Sequence, residues 1–348
     1  MRKSGSLSLS QGLIKDFTMK KFFSIFILTF LILITACKSA KTEEQDFFDF
    51  TEPQTQTEQV QKQGYELIKH PGTMLWEIDG YTQNGEPTKV YFLGTYHAGD
   101  GRIDTYPDCV AEALEESDRF CCEISSDEWA ALPDMMNDLT MQSFLKDFSH
   151  TLIDDLSQEE ISLISKYIDS QTFASLVCFE PWVVNNYLQS IVMMASGLDP
   201  QKAYDIMIMN DILTNRPGTK IDGLDEVQVQ LDLTAYGDWN TQMIMLRDTL
   251  ADLEKLTEAV QEMTDLYEIF LTGDEQLFEE MYFKDINTEV LTQPVYRDYI
   301  KALLDERNKN WAQKVTDYLD MPGTTFIFAG CAHFVGPNSV FSYLPQLQ

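Results

Sequence analysis

The chain has 348 residues, 44% of them hydrophobic, and its 56 acidic and 25 basic side chains give a formal charge of −31. Such a charge repels nucleic acid and anionic lipid headgroups, so we expect neither a nucleic-acid-binding protein nor one that docks electrostatically on a membrane. Residues 65–348 are enough to bury the core of one large domain.

The first 36 residues are interpreted as a lipoprotein signal peptide. Two lysines precede an apolar run, residues 22–35, which is too short to span a bilayer comfortably. The run ends in ITAC (residues 34–37), which resembles a lipobox, where the signal is cut before the cysteine and the thiol then carries lipid. We therefore expect a lipid on Cys37 and an exported chain, anchored on the extracytoplasmic face of an outer or cytoplasmic membrane. An uncleaved anchor helix is the alternative.

The segment 37–64 is polar, rich in Gln, Thr and Glu, and has no sustained hydrophobic period. This composition is typical of a flexible tether that holds a domain away from a membrane. The folded domain is therefore predicted to occupy residues 65–348.

The beginning of this domain predicts the order β-β-α-β. Apolar runs at 74–79 and 89–93 flank a turn with Asn84-Gly85, which is typical of a β-hairpin. A helix is predicted around residues 110–114, where apolar side chains have helical spacing. A third strand is predicted at 120–124.

The middle of the domain predicts mainly helices, and Ser157 with Glu160 fits a capping box at the start of one of them. A short strand is predicted at 220–224, and a last strand follows the turn at Pro322-Gly323. The fold class predicted is α/β, an α+β mixed sheet in which N- and C-terminal strands share one central sheet beside a large helical section. The helices are predicted at 127–148, 157–173, 181–194, 200–213, 239–271, 275–282 and 295–319.

Five cysteines remain after Cys37, an odd number that argues against a complete disulfide framework. Buried free thiols are expected, although one disulfide between Cys109 and Cys121 or Cys122 stays open. No Cys-x-x-Cys occurs, so a zinc ribbon or a thioredoxin-like site is not predicted. The five are Cys109, Cys121, Cys122, Cys178 and Cys331.

One motif occurs twice, near the two ends of the domain. The segments VYFLGTYH (residues 90–97) and TFIFAGCAH (residues 325–333) are apolar strands that end in Gly-x-x-His. A glycine at the end of a strand permits a sharp turn, so two such strands side by side would direct two imidazoles to one edge of a sheet. The alternative is a pair of strand-end histidines that merely satisfy backbone hydrogen bonds.

The two motif histidines, His97 and His333, combine with Glu123, which follows the third predicted strand. Two imidazoles and a carboxylate are a ligand set for Zn²⁺, Mn²⁺ or Fe²⁺ that leaves positions open for water and substrate. Asp225 or Glu226, just after the short strand, is the candidate general base. The chain lacks the sequence signatures of serine hydrolases, zincins, P-loop NTPases and dinucleotide-binding folds.

Seven motifs in order show that the chain resembles the TraB/GumN family, which includes the TIKI metalloproteases of animals. The resemblance covers residues 72–347 and has two departures, since Asp225 stands where the family has Glu, and Ala203-Tyr204 where it has Gly before Asp205. The motifs lie at 75–77 together with 91–97, at 118–123, at 180–182, at 197–205, at 223–230, at 307–308 and at 330–337.

This resemblance implies a metal-dependent hydrolase, most directly a peptidase, that uses Mn, Zn or Co and acts on a peptide or protein. Arg307 would orient a substrate carboxylate or the site glutamate, or it is simply a cation on the surface of a helix. The alternative function is a non-catalytic protein that sequesters a peptide signal in the same cleft.

Overall fold

A computed structural model describes residues 65–292 and 294–348. The signal peptide and tether predicted at 1–64 lie outside the described residues. These residues divide into two compact units. The first contains Tyr96–Asp104 and Ile124–Thr264, and the second contains residues 65–95, Thr105–Glu123 and Asp265–Gln348.

The described residues form six strands, of which β5 belongs to the first unit and the others to the second. They are β1 Glu66–Lys69, β2 Leu75–Tyr81, β3 Pro87–Thr95, β4 Arg119–Cys122, β5 Ile221–Gly223 and β6 Gly323–Gly330.

The helices occupy most of the first unit and the C-terminal part of the second. They are α1 Asp108–Glu116, α2 Ser126–Gln142, α3 Leu152–Asp155, α4 Gln158–Ile164, α5 Ser170–Leu176, α6 Pro181–Ser196, α7 Tyr204–Asn215, α8 Val227–Thr234, α9 Trp239–Glu254, α10 Leu256–Thr272, α11 Glu275–Thr292, α12 Pro294–Ile300 and α13 Glu306–Leu319. A π-helical turn, Lys301–Asp305, joins α12 to α13, and a 3-10 turn, Cys331–His333, follows β6.

The sheet of the second unit is mixed, with strand order β1-β2-β3-β6-β4. Strands β1, β2 and β3 are antiparallel neighbours, whereas β6 lies parallel to both β3 and β4. The two strands that carry the repeated motif are therefore adjacent and parallel, and Thr95 pairs with Gly330 at their ends. The predicted α/β class, with N- and C-terminal strands in one sheet, is confirmed.

The predicted hairpin forms because its turn residues suit the geometry. Thr82 N–H donates to Glu86 O at 2.9 Å, and Gly85 takes a positive φ of 80° that other residues rarely adopt. Side chains on both faces of β2 and β3, such as Leu75, Ile78 and Phe92, are fully buried. The strand β1 was not predicted, because its residues are exposed along most of its length and have no alternating pattern.

Three predicted helices are each divided in two in the structure. The helix predicted at 157–173 ends at Ile164, and a new one begins at Ser170 because the Asp169 carboxylate accepts the N–H groups of Gln171 and Thr172, both at 3.0 Å. The capping box of Ser157 and Glu160 is confirmed.

The long helices predicted at 239–271 and 295–319 are also divided. The first breaks at Lys255 into α9 and α10, and the second changes register in the π turn. The helix predicted at 127–148 ends at Gln142, and the one predicted at 275–282 extends to Thr292. The helix predicted at 200–213 begins only at Tyr204, after a separate 3-10 turn.

The five cysteines are free thiols. Cys121, Cys122 and Cys331 are buried, whereas Cys109 and Cys178 are partly exposed. The disulfide that the sequence left open is therefore not formed. Over the described residues, no helix combines the length and the hydropathy needed to cross a membrane.

Candidate functional site

His97 lies in the first unit, in a short segment that two contacts hold in place. Gly99 and Asp199 exchange backbone hydrogen bonds at 3.0 and 2.7 Å, and Tyr204 N–H donates to Tyr96 O at 3.2 Å. These bonds place His97 beside the first turn of α7, where Asp205 lies. Backbone hydrogen bonds of Tyr96 and Gly99, on either side of His97 in the chain, thus hold the backbone that carries the imidazole.

The ring of His97 is bound by the carboxylate of Asp205. Nδ1 lies 2.7 Å from Oδ2, and the two side chains are 23% and 16% exposed. Because a carboxylate only accepts hydrogen bonds, Nδ1 carries the hydrogen, and Nε2 is the nitrogen that can present a lone pair. The other carboxylate oxygen of Asp205 accepts the N–H of Ile206 at 3.0 Å, which fixes the orientation of the pair.

Glu123 lies in the second unit, directly after β4, and its carboxylate connects three elements. Oε1 accepts the N–H of Gly330, the last residue of β6, at 2.8 Å. Oε2 accepts from Nη2 of Arg307 on α13 at 2.6 Å. Since β4 and β6 are parallel, Glu123 lies at the carboxyl ends of both strands, where ligands bind in open α/β sheets.

His333 is held at both ring nitrogens and on one face. Nδ1 lies 2.6 Å from Oδ1 of Asn308, and Nε2 lies 3.1 Å from Nη1 of Arg307. The ring of Trp311 packs against the imidazole with 4.1 Å between the ring centroids. Only 4% of His333 and 2% of Arg307 are exposed. The second motif therefore ends in a buried, fully bonded imidazole.

Arg307 is the centre of this second cluster. Its guanidinium contacts both Glu123 and His333, donates to the carbonyl of Leu303 at 3.2 Å, and stacks over Trp311 at 4.8 Å. The sequence left open whether Arg307 orients the site glutamate or is a surface cation. The structure places it against Glu123 and buries it.

Asp225 and Glu226, the candidate bases, lie in the first unit between β5 and α8. A Cβ on Gly223 would approach Ser125 N at 2.7 Å, so only glycine permits the turn that leads to Asp225. Asp225 is buried, with 7% exposed, whereas Glu226 is exposed. Glu128 supports this turn, because its Oε1 accepts the N–H of Val227 at 3.0 Å.

The structure therefore brings together Glu123, His333 and Arg307, and it pairs His97 with Asp205. Asp205 and Asn308 were noted from the sequence only as parts of motifs. The signal for Asn308 was the pattern of α13, in which Arg307 and Asn308 share the helical face of buried Trp311 and Val315.

The fit of a metal differs between the two histidines. His97 fits a ligand role, because metal-bound histidines usually donate their other N–H to a carboxylate or carbonyl oxygen. Glu123 and His333 do not fit while Arg307 donates to both, since the guanidinium occupies the lone pair of His333 Nε2, bonds to Glu123 Oε2 and would repel a metal cation. In the part of the chain that the structure describes, no group of three or more His, Cys, Asp or Glu side chains could hold a metal ion.

Cys331, between the motif glycine and His333, is fully buried. Burial raises the pKa of its thiol far above its usual value. Its sulfur lies against Gly94, where an added Cβ would be 3.0 Å from Sγ. The side chain thus fills space between the ends of β3 and β6.

These features define an α/β protein with a mixed sheet whose parallel strands end in a Glu–Arg–His cluster. The chain belongs to the TraB/PrgY/gumN family, whose model matches residues 74–347. An uncharacterized protein of Treponema pallidum (strain Nichols) is 24% identical over 282 residues, which cover 80% of this chain and 82% of the relative. No solved structure matches the chain.

Proposed function

We propose that the chain is a hydrolase that cleaves peptide bonds and that His97 is its general base. The observation that carries the proposal is the 2.7 Å contact between His97 Nδ1 and Asp205 Oδ2, in a partly exposed pair at the end of a Gly-x-x-His motif. A carboxylate that holds one ring nitrogen fixes the orientation and tautomer of the ring and stabilises the imidazolium that forms when the other nitrogen takes a proton.

The chemistry needs one proton to move twice. Water attacks the scissile carbonyl carbon while its proton passes to Nε2 of His97, and the same proton then reaches the amine as the C–N bond breaks. A positioned general acid–base group contributes about 10²–10⁴-fold in rate. Asp205 would orient the ring throughout, and Asp225, a buried carboxylate of the same unit, remains a candidate base.

A divalent transition metal, Mn²⁺, Zn²⁺ or Co²⁺, is the cofactor that the resemblance to TIKI metalloproteases implies. His97 is the predicted ligand that fits this role, whereas Glu123 and His333 contact Arg307 instead. We therefore assign the proton transfers to side chains. The binding of a metal by this chain is a separate proposal, and a measurement of metal content tests it.

The test uses the purified chain treated with chelator and then supplied with Mn²⁺, Zn²⁺, Co²⁺ or none. Metal content is measured by elemental mass spectrometry, and cleavage is measured on a library of unmodified peptides. The variants are His97→Gln and Asp205→Asn. His150→Gln is the matched control, because His150 also binds a carboxylate, Asp155, at 2.8 Å but lies outside the motif.

We expect a fall in kcat of at least about 10²-fold for His97→Gln and a smaller fall for Asp205→Asn, with no change for His150→Gln. Full activity in His97→Gln would refute the role of this residue. Peptides that bind in chelator but are never cleaved, with any metal, would instead favour the alternative function, a protein that sequesters a peptide signal.

We also propose that the chain is exported and anchored by a lipid on Cys37, which would present the domain to extracytoplasmic peptides. The support is the lysine pair, the short apolar run and the ITAC sequence at residues 34–37. Cys37→Ser should abolish the acyl group detected by mass spectrometry and release the chain from the membrane fraction. Retention of the variant in the membrane would favour an uncleaved anchor helix.

A further inference from the structure

The imidazole of His333 is held in the way that metal-binding histidines are held. Its Nδ1 lies 2.6 Å from Oδ1 of Asn308, whose Nδ2 donates to the backbone carbonyl of Asn338 at 2.7 Å. The amide oxygen of Asn308 therefore faces the ring and accepts the hydrogen of Nδ1, which leaves a lone pair on Nε2. Metal-bound histidines usually donate one ring N–H to an oxygen in this manner and direct the other nitrogen at the metal.

The lone pair of His333 is directed at an arginine instead of a metal. Nη1 of Arg307 lies 3.1 Å from Nε2 of His333, and Nη2 lies 2.6 Å from Oε2 of Glu123. Arginine has only donors and keeps its charge, so Nε2 must accept. One imidazole nitrogen and one carboxylate oxygen therefore meet at a single guanidinium, which lies where a metal bound to both residues would lie.

A metal ion and Arg307 exclude each other at these two atoms. Nε2 has one lone pair, so it accepts a hydrogen bond or binds a metal, but it cannot do both. Zn²⁺ binds histidine and carboxylate at about 2.0–2.2 Å, which is closer than the contacts that Nη1 and Nη2 already make with the same atoms. The guanidinium charge would also repel a divalent ion at this short range.

Further contacts hold the guanidinium in this position. Nη1 of Arg307 also donates to the carbonyl of Leu303 at 3.2 Å, and Cζ lies 4.8 Å from the ring centroid of Trp311. Arg307 is 2% exposed and Trp311 is 0% exposed. A departure of the guanidinium would break these contacts and leave the buried carboxylate of Glu123 without its cation, which is costly. Arg307 is therefore a fixed part of the cluster.

We propose that Arg307 takes the place of a metal ion in this cluster and keeps divalent metals away from Glu123 and His333. This differs from the resemblance, from which both residues were predicted as metal ligands. A buried carboxylate needs a positive partner in either case, and here the arginine supplies it. The proposal does not depend on the hydrolase function, because that function is assigned to His97 in the other unit.

The first experiment titrates the full chain, freed of metal with chelator, with Co²⁺ and with Zn²⁺. Co²⁺ binding is followed by absorbance, and the bound metal is counted by elemental mass spectrometry. We expect Glu123→Gln and His333→Gln to bind the same amount of metal as the wild type with the same affinity. A loss of metal, or an affinity lower by about 10-fold or more, in either variant would overturn the proposal, because loss of even an outer partner of a ligand costs about 10–100-fold.

Arg307→Ala tests whether the guanidinium is the group that excludes the metal. Alanine leaves room for an ion and its waters, so we expect about one additional equivalent of Zn²⁺, which Arg307→Ala/His333→Gln should lose again. Because Zn²⁺ then supplies the cation that Glu123 lacks, it should raise the urea midpoint of Arg307→Ala but not of the double variant. Arg247→Ala, which breaks an exposed pair with Glu160, is the matched control and should gain no metal. A folded Arg307→Ala without additional metal would overturn the proposal.

Where Arg307→Ala does not fold, nitrogen spectra of the wild-type chain labelled with ¹⁵N-histidine decide the question. Zn²⁺ shifts the signal of a ring nitrogen that it binds, and His333→Gln assigns the signals of His333. Signals of His333 that stay unchanged at saturating Zn²⁺ would support the proposal, whereas a shift of its Nε2 signal would overturn it. A shift confined to His97 would place the metal in the first unit and support Arg307 as the cation of the second.

Discussion

Replacement of Arg307 by methionine is the perturbation with the clearest expected cost. The guanidinium is 2% exposed and donates to a carboxylate at 2.6 Å, a ring nitrogen at 3.1 Å and a carbonyl at 3.2 Å. Methionine fills much of the same volume but donates nothing, so the buried carboxylate of Glu123 loses its cation. Removal of one partner of a buried ion pair costs about 3–5 kcal/mol.

That cost is a large fraction of the free energy of unfolding of a folded domain, which is roughly 5–15 kcal/mol. The assay is urea unfolding at neutral pH, followed by circular dichroism. Arg247→Met is the matched control, because Arg247 also pairs with a glutamate, Glu160, at 3.0 Å but is 46% exposed. Its loss should cost about 1 kcal/mol or less.

The double variant Arg307→Met/Glu123→Gln removes both charges of the ion pair, whereas Arg307→Met alone leaves the buried charge of Glu123 without its cation. The neutral amide no longer requires a cation, so we expect the double variant to be more stable than Arg307→Met alone by about 1–3 kcal/mol. Strict additivity of the two single changes, or a cost below about 1 kcal/mol for Arg307→Met, would refute the assignment of a buried ion pair.

Three further outcomes follow from single contacts. Gly94→Ala should cost about 1–3 kcal/mol in urea unfolding, because its Cβ would lie 3.0–3.1 Å from Cys331 atoms that have no room to retreat. In the native chain at pH 8, an alkylating reagent should modify Cys331 at least about 100-fold more slowly than partly exposed Cys178, because burial raises the pKa of Cys331 so far that its thiol stays protonated. The hydrogen bond from Trp239 lowers the pKa of Asp155 in the folded chain below the value of about 3.9 that an aspartate has in an unfolded chain. The bond therefore stabilises the fold fully above that pH, and the stabilisation is lost as the pH falls through the lowered pKa of Asp155. Trp239→Phe should therefore flatten the acid side of the stability profile below about pH 4, and an unchanged profile would contradict this reading.

Much of the sheet could be predicted because its signals are local. The hairpin follows from two apolar runs around Asn84-Gly85, and the final strand follows from an apolar run after Pro322-Gly323. Helix boundaries were harder, since Lys255, where α9 ends, carries neither a glycine nor a proline signal.

The sequence by itself determined the class of fold, the two strands that end in Gly-x-x-His, and Glu123, His97 and His333 as residues of interest. Only the tertiary structure decided their partners. His97 meets Asp205 across 108 residues, and Glu123 meets Arg307 across 184. No local sequence pattern encodes such pairs, because the packing of distant elements brings the two residues together. The partner of each imidazole then decides whether the ring holds a proton, binds a metal or lies against an arginine.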